Sequence, residues 1–296
     1  MELRQLRYAV TTADTQSFSR AADMLKVKQS TLSRRVMQLE HRLGIKLFER
    51  TTRGAEPTET GRVFLEAARR ILIDVEDLQT TARAVNSGEH GRLTIGYCSS
   101  LMAGPLRLAF SDYLTRYPDV QFDGIEAGTE KLLNGLQART IDVVIAPAGN
   151  EQSDVQTRPL WSERLMAVLT GENRLHENKR IYWQDLRREV FVVPSNGIGP
   201  NLANLLSARL SEQGYRPKIV IQDTSLESAI SMVAVNRYIT IATEASQGVT
   251  WPNLHFREIY DPSGPARLEF ALYWREGNQN PALLRFFELI EERYPG

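Results

Sequence analysis

Little in this sequence supports covalent, metal or membrane chemistry. It holds one cysteine, Cys98, so no internal disulfide can form, and a reducing cytoplasm is the expected compartment. The four histidines, at positions 41, 90, 176 and 255, share no metal-ligand spacing, and neither metal nor cofactor is expected. No P-loop or Gly-x-Ser-x-Gly elbow occurs, and Gly197-Ile198-Gly199 lacks the third glycine of a dinucleotide fingerprint. These absences argue against an enzyme. No apolar run approaches the ~18–20 residues that span a bilayer. The opening Met1-Glu2-Leu3-Arg4 has no apolar stretch of the kind that exports a chain. No membrane partner is expected.

Net charge is also absent, but the zero conceals an asymmetry. Residues 1–53 carry 11 Lys/Arg against 5 Asp/Glu, whereas the remainder carries 25 against 31. A basic head on an acidic body suggests that only the head meets a polyanion. A chain of 296 residues exceeds one ordinary core and suits two or three domains.

What is present begins with helical periodicity. Leu6, Ala9, Val10 and Ala13 form the apolar stripe of a first helix. Ser17 and Ser19 are candidate N-caps of a second, which buries Phe18, Ala21, Ala22 and Leu25. A third helix starts near Gln29, with Leu32, Val36, Leu39 and Leu43 packed inward and Gly44 as its left-handed cap. Gln29, Ser30, Ser33, Arg34 and Gln38 are then left to meet solvent or DNA, with side chains that can bond base edges and phosphates. Residues 47–54 read as strand, turn and return strand, a hairpin carrying Arg50 and Arg53 toward the DNA backbone or minor groove.

Ser19-Arg20-Ala21-Ala22, Gln29-Ser30-Thr31-Leu32-Ser33-Arg34-Arg35-Val36, Leu39-Glu40, Leu43-Gly44, Leu47-Phe48, Arg50 and Thr58-Glu59-Thr60-Gly61 agree in type, spacing and order with one pattern. The chain resembles the LysR-type transcriptional regulators. That resemblance implies a winged helix-turn-helix in which Gln29, Ser30, Thr31, Ser33 and Arg34 contact an operator in double-stranded DNA, with Arg50 and Arg53 from the wing. Pro57 departs from the aliphatic residue that many relatives place before Thr58.

From Thr58 to about Ser87 there is no proline, and Phe64, Ala68, Ile71, Val75, Leu78, Ala82 and Val85 alternate steps of four and three. Such a seam wants a second copy of itself, giving a homodimer. Packing against its own C-terminal domain is the alternative. The resemblance favours a homotetramer and makes RNA polymerase a further candidate partner. Gly88 and Gly91 mark a linker.

After Arg92, β-branched runs alternate with helical segments. Strands are expected at Leu93–Cys98, Val120–Glu126, Ile141–Ala146, Arg164–Leu169, Val190–Val193, Lys218–Gln222, Ile239–Ala242 and Leu268–Trp274. Helices fall near 101–117, 129–138, 201–213, 225–236 and 281–292. The order describes a parallel sheet with helices on its faces, twice over. It resembles the two-lobed α/β fold of periplasmic binding proteins, also the effector domain of LysR-type regulators. On that analogy strands cross between lobes near 160–168 and 262–270.

The expected organisation is therefore an N-terminal, helix-built winged helix-turn-helix (1–60), a dimerising linker helix (61–90) and an α/β effector domain (91–296). Lobe 1 would comprise about 91–161 and 268–296, and lobe 2 about 162–267. Ligands of open α/β sheets sit beyond the carboxyl ends of strands. Ser99, Ser100, Gly128, Thr129, Ser195 and Asn196 stand at such ends and are the candidate effector contacts. These segments contain no Arg, Lys or His, so a small, neutral or weakly charged organic effector is expected. Cys98, beside them, reads either as a small buried hydrophobe or as a redox sensor. The functional expectation is a DNA-binding transcription regulator tuned by that effector. A solute-binding protein with an incidental basic head is the rival.

Overall fold

The computed structural model describes residues 1–51, 54–87, 91–150, 152–212, 215–235 and 238–294, without the side chains of Arg50, Thr51 and residues 79–87. Thr52 and Arg53 of the expected wing and residues 88–90 of the linker lie outside the described residues. So do the side chains of Ala82 and Val85 in the expected seam. The chain forms two compact units, Met1–Val85 with Ala138–Thr140, and Asn86–Gln137 with Ile141–Gly296.

The first unit opens with α1 (Leu3–Thr15), α2 (Phe18–Met24) and α3 (Gln29–Leu43). Ser17 caps α2, its side chain accepting from the Arg20 N–H at 3.4 Å. Gly44 ends α3 at φ +69°, a backbone angle that suits glycine. Leu6, Ala9, Ala21, Ala22, Leu32, Val36 and Leu39 close a dry three-helix core. The wing follows as β1 (Phe48–Thr51) and β2 (Gly54–Pro57), paired antiparallel from Phe48↔Pro57 to Thr51↔Gly54.

Glu40 fixes the wing's start by accepting from the Leu47 and Phe48 N–H groups at 2.7 and 3.2 Å. The wing's return is fixed by Ala55 N–H donating to the Gln16 carbonyl at 2.9 Å. A Cβ at Gly54 would sit 2.3 Å from that carbonyl oxygen, so only glycine allows the approach. Helix α4 (Glu59–Ser87) leaves the wing with Thr58 Oγ1 accepting from Gly61 N–H at 2.9 Å. Leu65 and Ala68 seat its first half in the core.

The second unit begins with β3 (Gly91–Tyr97), α5 (Gly104–Arg116), β4 (Val120–Glu126), α6 (Thr129–Gln137) and β5 (Val143–Pro147). These give a parallel β4-β3-β5 sheet. Next comes β6 (Val155–Thr170), whose length the β-branched runs did not reveal. It is long because it serves two lobes. Val155–Arg164 pairs with the returning strand at Arg267–Arg275 in the first, and Leu165–Thr170 pairs with strands of the second.

The second lobe contains β7 (Ile181–Tyr182), β8 (Val190–Pro194), α7 (Gly199–Leu210), β9 (Lys218–Gln222), α8 (Leu226–Val235), β10 (Thr240–Thr243), β11 (Leu254–Asp261) and β12 (Gly264–Pro265). The chain then returns through β13 (Arg267–Arg275) and α9 (Pro281–Arg293). Strand β11 had not been expected. Leu254-His255-Phe256-Arg257-Glu258-Ile259 has no apolar run, and only Ile259 of β11 is fully buried. The last helix folds back onto the first lobe, where Phe286 meets Tyr113 edge-on and the Tyr113 hydroxyl donates to the Ala282 carbonyl at 2.8 Å. Each lobe has its own core, with Phe191, Leu202 and Ile230 in the second and Ile95, Val143 and Phe286 in the first.

Candidate nucleic-acid interface and effector cleft

Helix α3 offers solvent a defined face. At 100° per residue, Ser30, Arg34, Met37, Gln38 and His41 fall on one side, and all five are exposed, with Gln29 exposed at the N-terminus. Thr31 is half-buried at the edge of this face.

Ser33 corrects the sequence expectation: it is 8% exposed and belongs to the packed side. It lies three residues before Val36, on the flank of the apolar stripe. Met37 and His41 had not been singled out. Both follow from the same helical period as Arg34, at i+3 and i+7. Arg50 stands on β1, but its side chain lies outside the described residues, as does the whole of Arg53.

The second half of α4 continues the seam in the open. Ile71 is 40% and Leu78 69% exposed, and Val75 is half-buried. Isolated apolar side chains of this size at heptad spacing are the usual surface of a helix pair.

In the second unit four chain segments from both lobes line one cleft of about 410 Å³. From the end of β3 come Cys98, Ser99 and Ser100; from the end of β4, Glu126 and Ala127, with Lys131 one turn into α6. The other lobe contributes Asn196, Gly197 and Ile198 after β8, and Thr224, Ser225, Leu226 and Glu227 after β9. The N-termini of α6, α7 and α8 all begin here, and their unpaired N–H groups make the backbone electropositive. Gly197 holds φ +57°, and the Glu126 carboxylate reaches within 3.5 Å of where its Cβ would stand.

Of the six expected contacts, Ser99, Ser100 and Asn196 line this cleft. Thr129, Gly128 and Ser195 do not. Thr129 is buried, and its hydroxyl donates to Asn201 Oδ1 at 2.9 Å, tying α6 to α7 across the lobes. Ser195 Oγ donates to Asp223 at 3.1 Å, beside the Asn196 amide, which donates to the same oxygen at 3.0 Å. Gly128 sits where a Cβ would be 3.7 Å from the Gly197 carbonyl.

Glu126, Lys131 and the Thr224–Glu227 segment had been missed. The strand-end rule reaches them once it is applied to the last residue of β4 and to the turn after β9. They also overturn the premise that no cation stands near, because Lys131 does.

Ser99 Oγ is buried and has no hydrogen-bond partner among the described residues. A buried hydroxyl left unpaired costs about 1–3 kcal/mol, so a ligand group that bonds it recovers that penalty. Glu126 is held above the usual carboxylate range by desolvation first and by the nearby Glu227 second. Burial pushes the Cys98 thiol up to about 12, so it stays protonated, with Thr129 Oγ1 3.8 Å from its sulfur. Cys98 is 2% exposed and packs beside Ala127 and Leu132 as a small apolar side chain does.

A helix-turn-helix with an exposed basic and polar face, carried on the same chain as a two-lobed α/β domain with a cleft, defines a ligand-responsive DNA-binding regulator. The family model of the LysR substrate binding domain matches residues 86–295, and that of the bacterial regulatory helix-turn-helix proteins of the lysR family matches residues 3–62. The chain belongs to the LysR family, as a DNA-binding transcription regulator with an effector-binding domain. It is 28% identical over 295 residues to the transcriptional regulator ClcR of Pseudomonas putida, covering 99% of both chains. It is 27% identical to BenM of Acinetobacter baylyi, covering 99% of this chain and 96% of that one. The crystal structure of full-length CbnR complexed with its target DNA superposes with a TM-score of 0.80 at 26% identity and 99% coverage of each chain. Among the described residues, no helix is long and apolar enough to cross a membrane.

Proposed function

We propose that this regulator reads its operator with Gln29, Ser30, Thr31 and Arg34 on α3 and with Arg50 and Arg53 of the wing, and is tuned by a small molecule held in the interlobe cleft. It acts in the cytoplasm as a regulator rather than an enzyme. The chain pairs with a second copy through Ile71, Val75 and Leu78, and two such dimers assemble into a tetramer. The relative whose solved complex contains target DNA supports the operator reading. The observation that carries the effector reading is the unpartnered, buried Ser99 hydroxyl in a cleft built by both lobes.

Ligand seated there contacts β3 and α6 of one lobe and α7 and α8 of the other, so it stabilises one lobe arrangement over another. That differential is all a population shift requires. The dimer seam then passes the change to the spacing of two reading helices on the DNA.

Fluorescence anisotropy of the full chain on operator DNA tests the first half. Affinity should fall steeply with salt, since log K declines with log salt in proportion to the phosphates contacted. A salt-independent affinity would refute it. For the second half, a metabolite that shifts the melting temperature should lose that effect in Ser99→Val, which fills the cleft and removes the hydroxyl. Retained binding in that variant would place the effector elsewhere.

A further inference from the structure

The charges that line the cleft are two carboxylates, Glu126 and Glu227, and one ammonium, Lys131. No ion-pair partner within 4 Å is present for any of the three among the described residues. The lobes therefore bring two glutamates, from β4 and α8, to one 410 Å³ space whose lining holds a single side-chain cation. A dianionic effector would meet two carboxylates there, with only Lys131 and the helix N-termini to hold it. Glu126 and Glu227 also lie on opposite lobes, so anything that bonds both holds the lobes together.

We propose that the effector carries a protonated amine, seated between Glu126 and Glu227, with its other polar end at Ser99 and Lys131. This rests on the interlobe cleft being the effector site and names the chemistry that site takes. Three observations carry it. The two carboxylates face one cavity from opposite lobes without an ion-pair partner. Ser99 Oγ, on a residue 3% exposed, is an unsatisfied hydrogen-bonding group in the same cavity. The volume falls in the range of about 300–1,000 Å³ usual for small-molecule sites.

An ammonium donates up to three hydrogen bonds, enough for both carboxylates at once. A carboxylate on the same molecule finds Lys131, Ser99 and the helix N-termini, so an amino-acid-like zwitterion matches the charged side chains of the cleft and its unpartnered hydroxyl. Glu126 is raised by desolvation first and by Glu227 second, and an ammonium between the two carboxylates offsets both by favouring the charged form. A metal ion does not replace it, because no group of three or more metal-ligating side chains occurs among the described residues.

The test uses the full chain and melting temperature, which rises with any ligand that binds only the folded state. The probes are the proteinogenic amino acids, putrescine and cadaverine, and the α-hydroxy acid counterpart of each amino acid. At least one amine-bearing probe should raise the melting temperature, and its hydroxy counterpart should not. A zwitterion as best probe assigns Lys131 to the ligand's carboxylate; a diamine as best probe overturns that placement, because its second ammonium would face the Lys131 ammonium.

Binding of the active probe, measured by calorimetry, should weaken about tenfold or more in Glu126→Gln and in Glu227→Gln, the usual loss of a charged hydrogen bond. The proposal is overturned if no amine shifts the melting temperature, or if hydroxy acids shift it equally. It is overturned too if Mg²⁺ alone shifts it in a Glu126-dependent way. A probe that loses binding in Ser99→Val but not in the Gln variants removes the amine and leaves the cleft. A probe indifferent to all three substitutions removes the cleft itself.

Discussion

The reading face of α3 and the effector cleft are assembled in opposite ways. The reading face is one helix: Ser30, Arg34, Gln38 and His41 share a side because 3.6 residues make a turn. The cleft draws on residues 98–100, 126–127 with 131, 196–198 and 224–227, four strand ends on two lobes. Damage to the first should be local and graded by residue. In the second, damage should depend on what the other lobe presents.

The largest expected effect lies outside both surfaces, in the helix that makes two reading faces act together. Leu78→Glu puts a charge on a side chain 69% exposed in the single chain, so the fold of the protomer is spared. Sedimentation should show loss of self-association. Operator affinity should drop by about 10²-fold or more, as expected when two linked half-site contacts become independent. An intact dimer with unchanged affinity would show that the seam is not the interface.

Arg34→Ala comes next and separates the two sides of α3. It should cost about 1–3 kcal/mol of operator binding if the guanidinium makes a bidentate base contact. Ser33→Ala, one residue earlier but buried, should leave base preference unchanged and instead alter thermal stability. Equal losses of operator affinity from both would return Ser33 to the reading face.

The Thr129–Asn201 bond offers a sharper view of the cleft. Thr129→Val removes the donor and leaves the Asn201 carbonyl oxygen without it, a loss of about 1–3 kcal/mol in thermal unfolding. Because the bond joins the lobes rather than lining the cleft, the response to effector should change in concentration dependence rather than disappear. Complete loss of binding would make Thr129 a ligand contact.

The smallest effect concerns Glu163, 1% exposed on β6 just before it passes from one lobe to the other. Its carboxyl is raised above the ordinary 4.5 by desolvation, against the hydrogen bonds from Thr243 and Trp161 that lower it. A raised carboxyl means that the folded chain holds this proton more tightly than the unfolded one. Stability is then lost as pH rises from about 4.5 through the folded value. Glu163→Gln removes that loss, so its melting temperature should exceed the parent's at neutral pH and converge with it near pH 4. A gap that stays constant with pH would exclude titration of Glu163 as the cause.

Most of the first unit is legible in the sequence. The start of α3 at Gln29, the cap at Gly44 and the stripe through Leu32, Val36 and Leu39 follow from local periodicity and turn chemistry. The α/β order of the second unit was legible for the same reason. The apolar end of strand β6 alone stands out in the sequence, since Val155–Arg164 stays mostly exposed or half-buried and mixes charged with apolar residues. Strand β11 was missed because its neighbours, not its composition, make it a strand.

The chain's local order therefore determined the reading helix, its caps, the open face of α4 and the strand ends where a ligand could sit. Each of these depends on residues a few positions apart, and backbone geometry alone relates them. Only the tertiary structure decided that Ser33 is covered, that Thr129 spends its hydroxyl on Asn201, and that Glu126 shares a cavity with Glu227. Those outcomes depend on which element packs over which side chain. Partners 72 residues apart, such as Thr129 and Asn201, leave no periodic signal in the chain between them.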